Sequence, residues 1–270
     1  MINISSVSKS KNVSLFGSGR MVNEKAIEKI VGYGDTYIEQ HLENGYEKSR
    51  LTTDWWEGLK FLFDHVFYQG RSDKVSERVE NEVITVLEKY INGNKENPEI
   101  ILNKNNHEKI TCDLEEVIGK GKVGRHRDIE MVISIFKFIP RIEDKNILKY
   151  SVSKIKNGYV RDHYEELQSI RSIGPKVSSF YLRDLIYMYS LDSYISKEDL
   201  IFLQPIDTWV RKVALKVEII DNIDEDDTIV REKIVESCLN LNLSTTKFNQ
   251  GSWYLGYNSF DILIDNLDKI

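Results

Sequence analysis

Residues Ser169 to Leu185 read "SIRSIGPKVSSFYLRDL". The stretch divides into a helix over 161–170, a hairpin from Arg171 to Gly174, and an apolar helix entered through Pro175, which should run from Lys176 to about Tyr189. Proline suits the first helical position, because its missing N–H would have no intrahelical acceptor there. Lys176 then lies in the first turn, at the positive end of the helix dipole, where a cation costs about 0.3–1 kcal/mol. Burial would penalise the charge further, and a lysine that has given up its proton is a nucleophile.

Thirty-one residues further on comes "QPIDTWVRKVALKV", Gln204 to Val217. Asp207 stands where a helix N-cap belongs, ahead of an apolar stripe of Trp209, Val210, Val213, Ala214 and Val217. An aspartate there caps helices without any chemistry, so the position alone leaves its role open.

Working outward, the pattern stays helical. "TDWWEGLKFLFDHVFYQ" opens with Asp54 as an N-cap and should bury Trp55, Leu59, Leu62, Phe63 and Val66. "KVSERVENEVITVLEKYI" repeats Val75, Val79, Val83, Val86 and Leu87 at helical spacing. In "NEKAIEKIVGYGDTYIEQHL", Gly32 and Gly34 predict an interruption. "NGNKENPEIILNKNNHEKITC" reads as a polar loop with a short apolar piece at 100–102, and "KGKVGRHRD" as a basic, glycine-rich loop. Pro140 ends the helix after it. Almost nothing alternates with period two, so the fold class is all-α. Residues 1–21 read as a loose lead-in and 22–270 as the helical region.

The 270 residues carry a net charge of −6, which at face value argues against a nucleic-acid partner. The distribution differs: Lys120 to Arg183 holds 14 basic against 7 acidic residues, and Glu218 to Ile270 holds 11 acidic against 4 basic. A basic middle able to meet a phosphate backbone is masked by an acidic tail, although such charges also serve merely to solvate helix faces. Two cysteines, Cys112 and Cys238, are too few for a four-thiolate zinc or iron–sulfur site. His65, His107, His126 and His163 lack ligand-like spacing, so no metal or cofactor is expected. With neither a secretory h-region nor an apolar run of membrane length, the chain reads as cytoplasmic, without a membrane partner.

A helix, a glycine-containing hairpin, a lysine opening the next helix and a downstream Pro-x-Asp cap together resemble the helix-hairpin-helix (HhH-GPD) DNA glycosylase superfamily. Its usual hairpin reads hydrophobic-Pro-Gly-hydrophobic-Gly-x-Lys. Here the run is Ile170-Arg171-Ser172-Ile173-Gly174-Pro175-Lys176: the second glycine and the lysine match, while Arg171 and Ser172 replace the proline and first glycine. The likeness spans about 55–258. The long gap between lysine and aspartate is similar to that of the archaeal 8-oxoguanine glycosylases.

The resemblance implies two helical lobes with a cleft between them, a central lobe of about 70–190 and a second from the flanking N- and C-terminal helices. It implies a monomer that binds double-stranded DNA containing a damaged base, extrudes the base, and cleaves the glycosidic bond with Lys176 as nucleophile and Asp207 assisting. A bifunctional glycosylase/lyase for a damaged purine, 8-oxoguanine first, is the expectation. Alternatives are a glycosylase for another modified base and a non-catalytic DNA-binding protein. Backbone amides of Ser172, Ile173 and Gly174 would hold a phosphate, with Arg71, Lys120, Lys122, Arg125 and Arg127 meeting others. Gln69 would lie against the DNA or the pocket. Phe180, Trp253 and Tyr254 would stack on the base, although aromatic side chains on helices are more often core. Residues 190–204 are expected to shape the pocket rim.

Overall fold

The computed structural model describes residues 24–43, 45–94 and 96–265, with side chains through Asn258; the lead-in at 1–21 lies outside them. The described chain is helical, with no strand among the described residues. α1 (Glu24–Ile38) runs into a π-helical turn (Glu39–Glu43), followed by α2 (Lys48–Thr53), α3 (Trp55–Val66) and α4 (Asp73–Ile91). Next come α5 (Glu99–Leu102), α6 (His107–Ile118), α7 (His126–Phe138), α8 (Ile147–Lys156) and α9 (Val160–Leu167). α10 (Pro175–Met188), α11 (Thr208–Lys216), α12 (Asp227–Asn240) and α13 (Thr245–Asp265) complete the order.

Buried apolar side chains fall into two clusters. The larger takes in residues from Tyr37 to Leu203, with α3 at its centre contributing Trp56, Leu59, Phe61, Leu62 and Phe63. The smaller joins the start of α1 (Ala26, Ile27, Ile30) to α11, α12 and α13 through Val210, Val213, Ile234, Phe248 and Leu255. Helices α2 and α3 thus pack chiefly with the middle of the chain, including α8. α1 and α13 cross closely because a Cβ on Gly251 would stand 1.8 Å from the Ile30 carbonyl oxygen. Only hydrogen fits there.

Local signals account for several element starts. Asp54 accepts hydrogen bonds from the Trp56 and Glu57 amides at 2.9 and 3.3 Å and so caps α3. Three expectations give way. Gly32 and Gly34 do not interrupt α1, and Gly34 instead makes room for Lys247 on α13. Val75 is solvent-exposed at the first turn of α4. The stretch expected to be a polar loop holds the first half of α6, which buries His107, Ile110, Leu114 and Ile118 on one narrow stripe flanked by mostly polar residues. Cys112 is exposed and Cys238 buried, both as free thiols.

Candidate functional site

Lys176 and Asp207 come together. Gly174 is the N-cap of α10, with no side-chain cap of its own, and puts Lys176 in the first turn. Asp207 caps α11: its Oδ1 accepts from the Val210 amide at 2.9 Å. That leaves Oδ2, which lies 4.0 Å from Lys176 Nζ. Capping and a second role are therefore not alternatives, since each uses a different oxygen of one carboxylate. The Lys176 side chain is 40% exposed and that of Asp207 14%. The burial anticipated for the lysine is absent.

The pair opens onto a cavity of about 360 Å³ whose aromatic lining includes Tyr68, Phe180, Trp209, Trp253 and Tyr257. It lies where helices of the two apolar clusters meet. A second cavity of about 320 Å³ adjoins it, and Tyr68, Asp73, Phe180, Trp253 and Tyr257 line both. Trp253 and Tyr257 stack face to face, centroids 5.1 Å apart and planes 5° from parallel. Asp73, the first residue of α4, stands at the junction. Burial pushes its carboxyl up from the ordinary value, Lys176 and His41 oppose that, and Asp207 adds to it. Across the second cavity, burial lowers His41.

Beneath both cavities lies a buried ionic network. Asp184 is fully buried and accepts from Arg183 Nε at 2.8 Å, Arg183 Nη2 at 3.1 Å, Tyr37 Oη at 2.6 Å and Gln250 Nε2 at 3.1 Å. His65 Nε2 lies 3.3 Å away. Burial alone would raise the Asp184 carboxyl, but the Arg183 guanidinium and His65 outweigh it and hold the group well below the usual range. Arg183 also donates to Asn249 Oδ1 at 2.8 Å and lies over the Phe180 ring, 5.0 Å from its centroid. The network thus fixes one wall of the cavity.

The other anticipated residues divide. Phe180 and Trp253 line the cavity. Tyr254 does not: it stacks on Tyr33 with centroids 6.0 Å apart, one helical step off the Trp253–Tyr257 face. Gln69 turns its amide onto the Val66 carbonyl and toward Met131 Sδ, while its neighbours Tyr68 and Gly70 reach the cavity. Arg71 is not presented to a phosphate, because both terminal nitrogens are engaged by buried Asp128 at 2.8 and 3.1 Å. Lys120, Lys122, Arg125 and Arg127 are exposed. Arg125 and Arg127 each spend one nitrogen on the Gly70 and Gln69 carbonyls at 2.9 and 3.2 Å.

In the hairpin, Ser172 holds φ 66°, and its Oγ lies 3.5 Å from the Arg127 carbonyl. The Ile173 amide is engaged by the Ile170 carbonyl at 3.1 Å, so it is not one of the phosphate-binding donors. Residues 190–204 pack through a 3₁₀ segment (Glu198–Leu203) against α9, α10 and α12 and do not reach the cavity. Asp73, Tyr68, Trp209, Tyr257 and the Arg183–Asp184 pair escaped the sequence reading. The pair did leave a signal: two adjacent charges inside the apolar run "FYLRDLIYM" must find partners once that helix is buried.

Among the described residues, no group of three or more histidine, cysteine or acidic side chains is placed to hold a metal ion, and no helix is long and apolar enough to cross a membrane. No protein-family model matches this chain, and no solved structure matches it. An uncharacterized protein of Methanocaldococcus jannaschii is 34% identical over 68 residues, covering 25% of this chain and 16% of that relative.

Proposed function

We propose that this protein is a bifunctional DNA glycosylase and abasic-site lyase of the helix-hairpin-helix kind, acting on a damaged purine with 8-oxoguanine first. The observation that carries the reading is the 4.0 Å approach of Lys176 Nζ to the free oxygen of Asp207 at the edge of an aromatic-walled cavity. The two apolar clusters are read as the two lobes and the cavity as the cleft between them. An extruded base would enter between Phe180 and the Trp253–Tyr257 stack.

In that reading the Lys176 nitrogen lone pair bonds to C1′ as the C1′–N bond breaks and its electron pair leaves with the base. Asp207 stabilises the positive charge developing on the sugar and takes the proton that the secondary ammonium then releases. Opening of the sugar gives an imine, and loss of a 2′ proton expels the 3′ phosphate, nicking the strand. The protein would be glycosylase and lyase together.

The hairpin supports this reading. Ser172 adopts a left-handed φ at the position where the family pattern has its first glycine. A Cβ on Gly174 would meet nothing within 4 Å, so no neighbour in this chain requires glycine there, whereas a phosphate drawn onto the amides at the head of α10 would. Lys120, Lys122, Arg125 and Arg127 offer exposed cations from the segment that the hairpin touches.

Borohydride trapping on duplexes carrying single lesions tests the proposal. A covalent adduct formed by the native protein and lost in Lys176→Gln is the expected result. No adduct on any lesion, or nicking by Lys176→Gln at the native rate, would refute it, the first outcome leaving a DNA-binding protein without catalysis.

A further inference from the structure

We infer that Asp73 is a second catalytic carboxyl, the acid that delivers a proton to the departing base. The inference rests on the glycosylase reading and deepens it. Asp73 is the first residue of α4, half-buried, and lines both the cavity that holds Lys176 and Asp207 and the adjoining one that holds His41. The aromatic side chains that would grip a base, Phe180, Trp253 and Tyr257, line the same two cavities. Asp73 therefore borders the space where sugar and base would part.

The polar surroundings suit an acid. Asp73 sits at the start of a helix, yet Ser72 and not Asp73 is the N-cap residue, so capping does not explain the carboxyl. The charges around it come from several elements: Lys176 of α10, Asp207 at the head of α11 and His41 of the π-helical turn. Arg183 lines the first cavity, and Lys74 and Glu77 of its own helix line the second. Burial and Asp207 favour the protonated carboxyl; Lys176 is the charge that most opposes it. Removing the Lys176 charge thus makes protonation of Asp73 easier, an electrostatic coupling that acts on the Asp73 carboxyl.

That coupling closes the proton balance of the reaction. A proton moves from the Lys176 ammonium to the Asp73 carboxylate, which creates the neutral amine and the acid in one step. The amine lone pair then forms the N–C1′ bond, the C1′–N glycosidic pair departs with the base, and the Asp73 proton is transferred to a nitrogen of that base. Asp73 returns to carboxylate, and the secondary ammonium on C1′ loses its proton to Asp207. No further reactant is needed.

A substrate that has already lost its base has no leaving group to protonate, and this separates Asp73 from Lys176. The full chain would be assayed on two matched duplexes, one containing 8-oxoguanine and one containing a preformed abasic site. With Asp73→Asn, single-turnover base release should fall by about 10²-fold or more, the range of a general acid. Nicking and borohydride trapping at the abasic site should fall by at least about tenfold less than base release, since only the general-acid term is missing from that reaction while the Lys176 proton must still be taken up. Asp73→Glu, which keeps a carboxyl, should recover part of the base release.

Equal losses on both duplexes would overturn the inference, because Asp73 would then act by placing Lys176. Unchanged base release in Asp73→Asn would overturn it as well. Failure of the underlying glycosylase reading is visible separately, as native protein that neither traps on nor nicks the abasic duplex.

Discussion

Replacing Asp184 by Asn tests whether the buried network is what holds the cavity wall. The change keeps the size of the side chain but removes its charge and turns one acceptor into a donor. Arg183 is 1% exposed, so its charge would remain inside the protein without a counter-charge. Donors from Tyr37, Arg183 and Gln250 now converge on the carboxylate, and at least one would face an amide N–H instead. Breaking a buried pair in this way costs about 3–5 kcal/mol, against a total stability of about 5–15 kcal/mol for an ordinary domain. At roughly 2–4 °C per kcal/mol, the melting temperature should drop by about 6–20 °C. Urea unfolding followed by tryptophan fluorescence gives the free energy, and a cycle with Arg183→Met gives the coupling, expected to exceed about 1 kcal/mol because the residues touch.

The same variant carries a pH signature. Asp184 is depressed in the fold, so its stabilisation is complete above the unfolded carboxylate value of about 3.9 and is lost as pH falls from there toward the folded value. Asp184→Asn should therefore flatten the acid limb of the stability curve below about pH 4. A cost under about 1 kcal/mol, or an additive cycle with Arg183→Met, would refute the assignment of this network as a buried ion pair.

Three further outcomes follow from particular contacts. Burial, reinforced by Asp64, pushes Glu80 up to about 11, so the native protein loses stability as pH rises from the unfolded glutamate value of about 4.3 toward the folded one. Glu80→Gln should accordingly be the more stable protein at pH 8 and lose that advantage below pH 4, as read by urea midpoints at the two pH values. Gly251→Ala drives a methyl into the Ile30 carbonyl and should cost at least about 1–3 kcal/mol, whereas Gly32→Ala, with nothing within 4 Å, should gain up to about 1 kcal/mol from helix propensity; thermal melts of the two distinguish crossing from propensity. Duplex DNA affinity should fall steeply with salt, and changing Lys120 and Lys122 together to Ala should flatten the slope of log K against log salt by about two. An unchanged slope would remove that segment from the interface.

What was legible in the sequence was what neighbouring residues decide. Asp54 and Asp207 cap helices because a carboxylate there meets amides two or three positions on, and Pro175 opens α10 for an equally local reason. The helices themselves were legible wherever the apolar stripe was wide, as in α3, and lost where it narrowed to one residue per turn, as in α6. Roles that depend on distant partners could not be read in this way. Arg71 looked available in the turn before α4 until Asp128, 57 positions away, engaged it. Tyr254 and Tyr257 are equivalent as composition, yet only the latter shares a helix face with Trp253, since four residues carry the helix just past one full turn and one residue does not. Asp73 was hidden for the same reason: it shares a cavity with Lys176, and 103 residues separate them. Asp207 shows why the local reading and the functional one need not compete. Its Oδ1 fixes the start of α11, and that bond in turn aims Oδ2 at the lysine, so the helix cap is the device that orients the carboxylate.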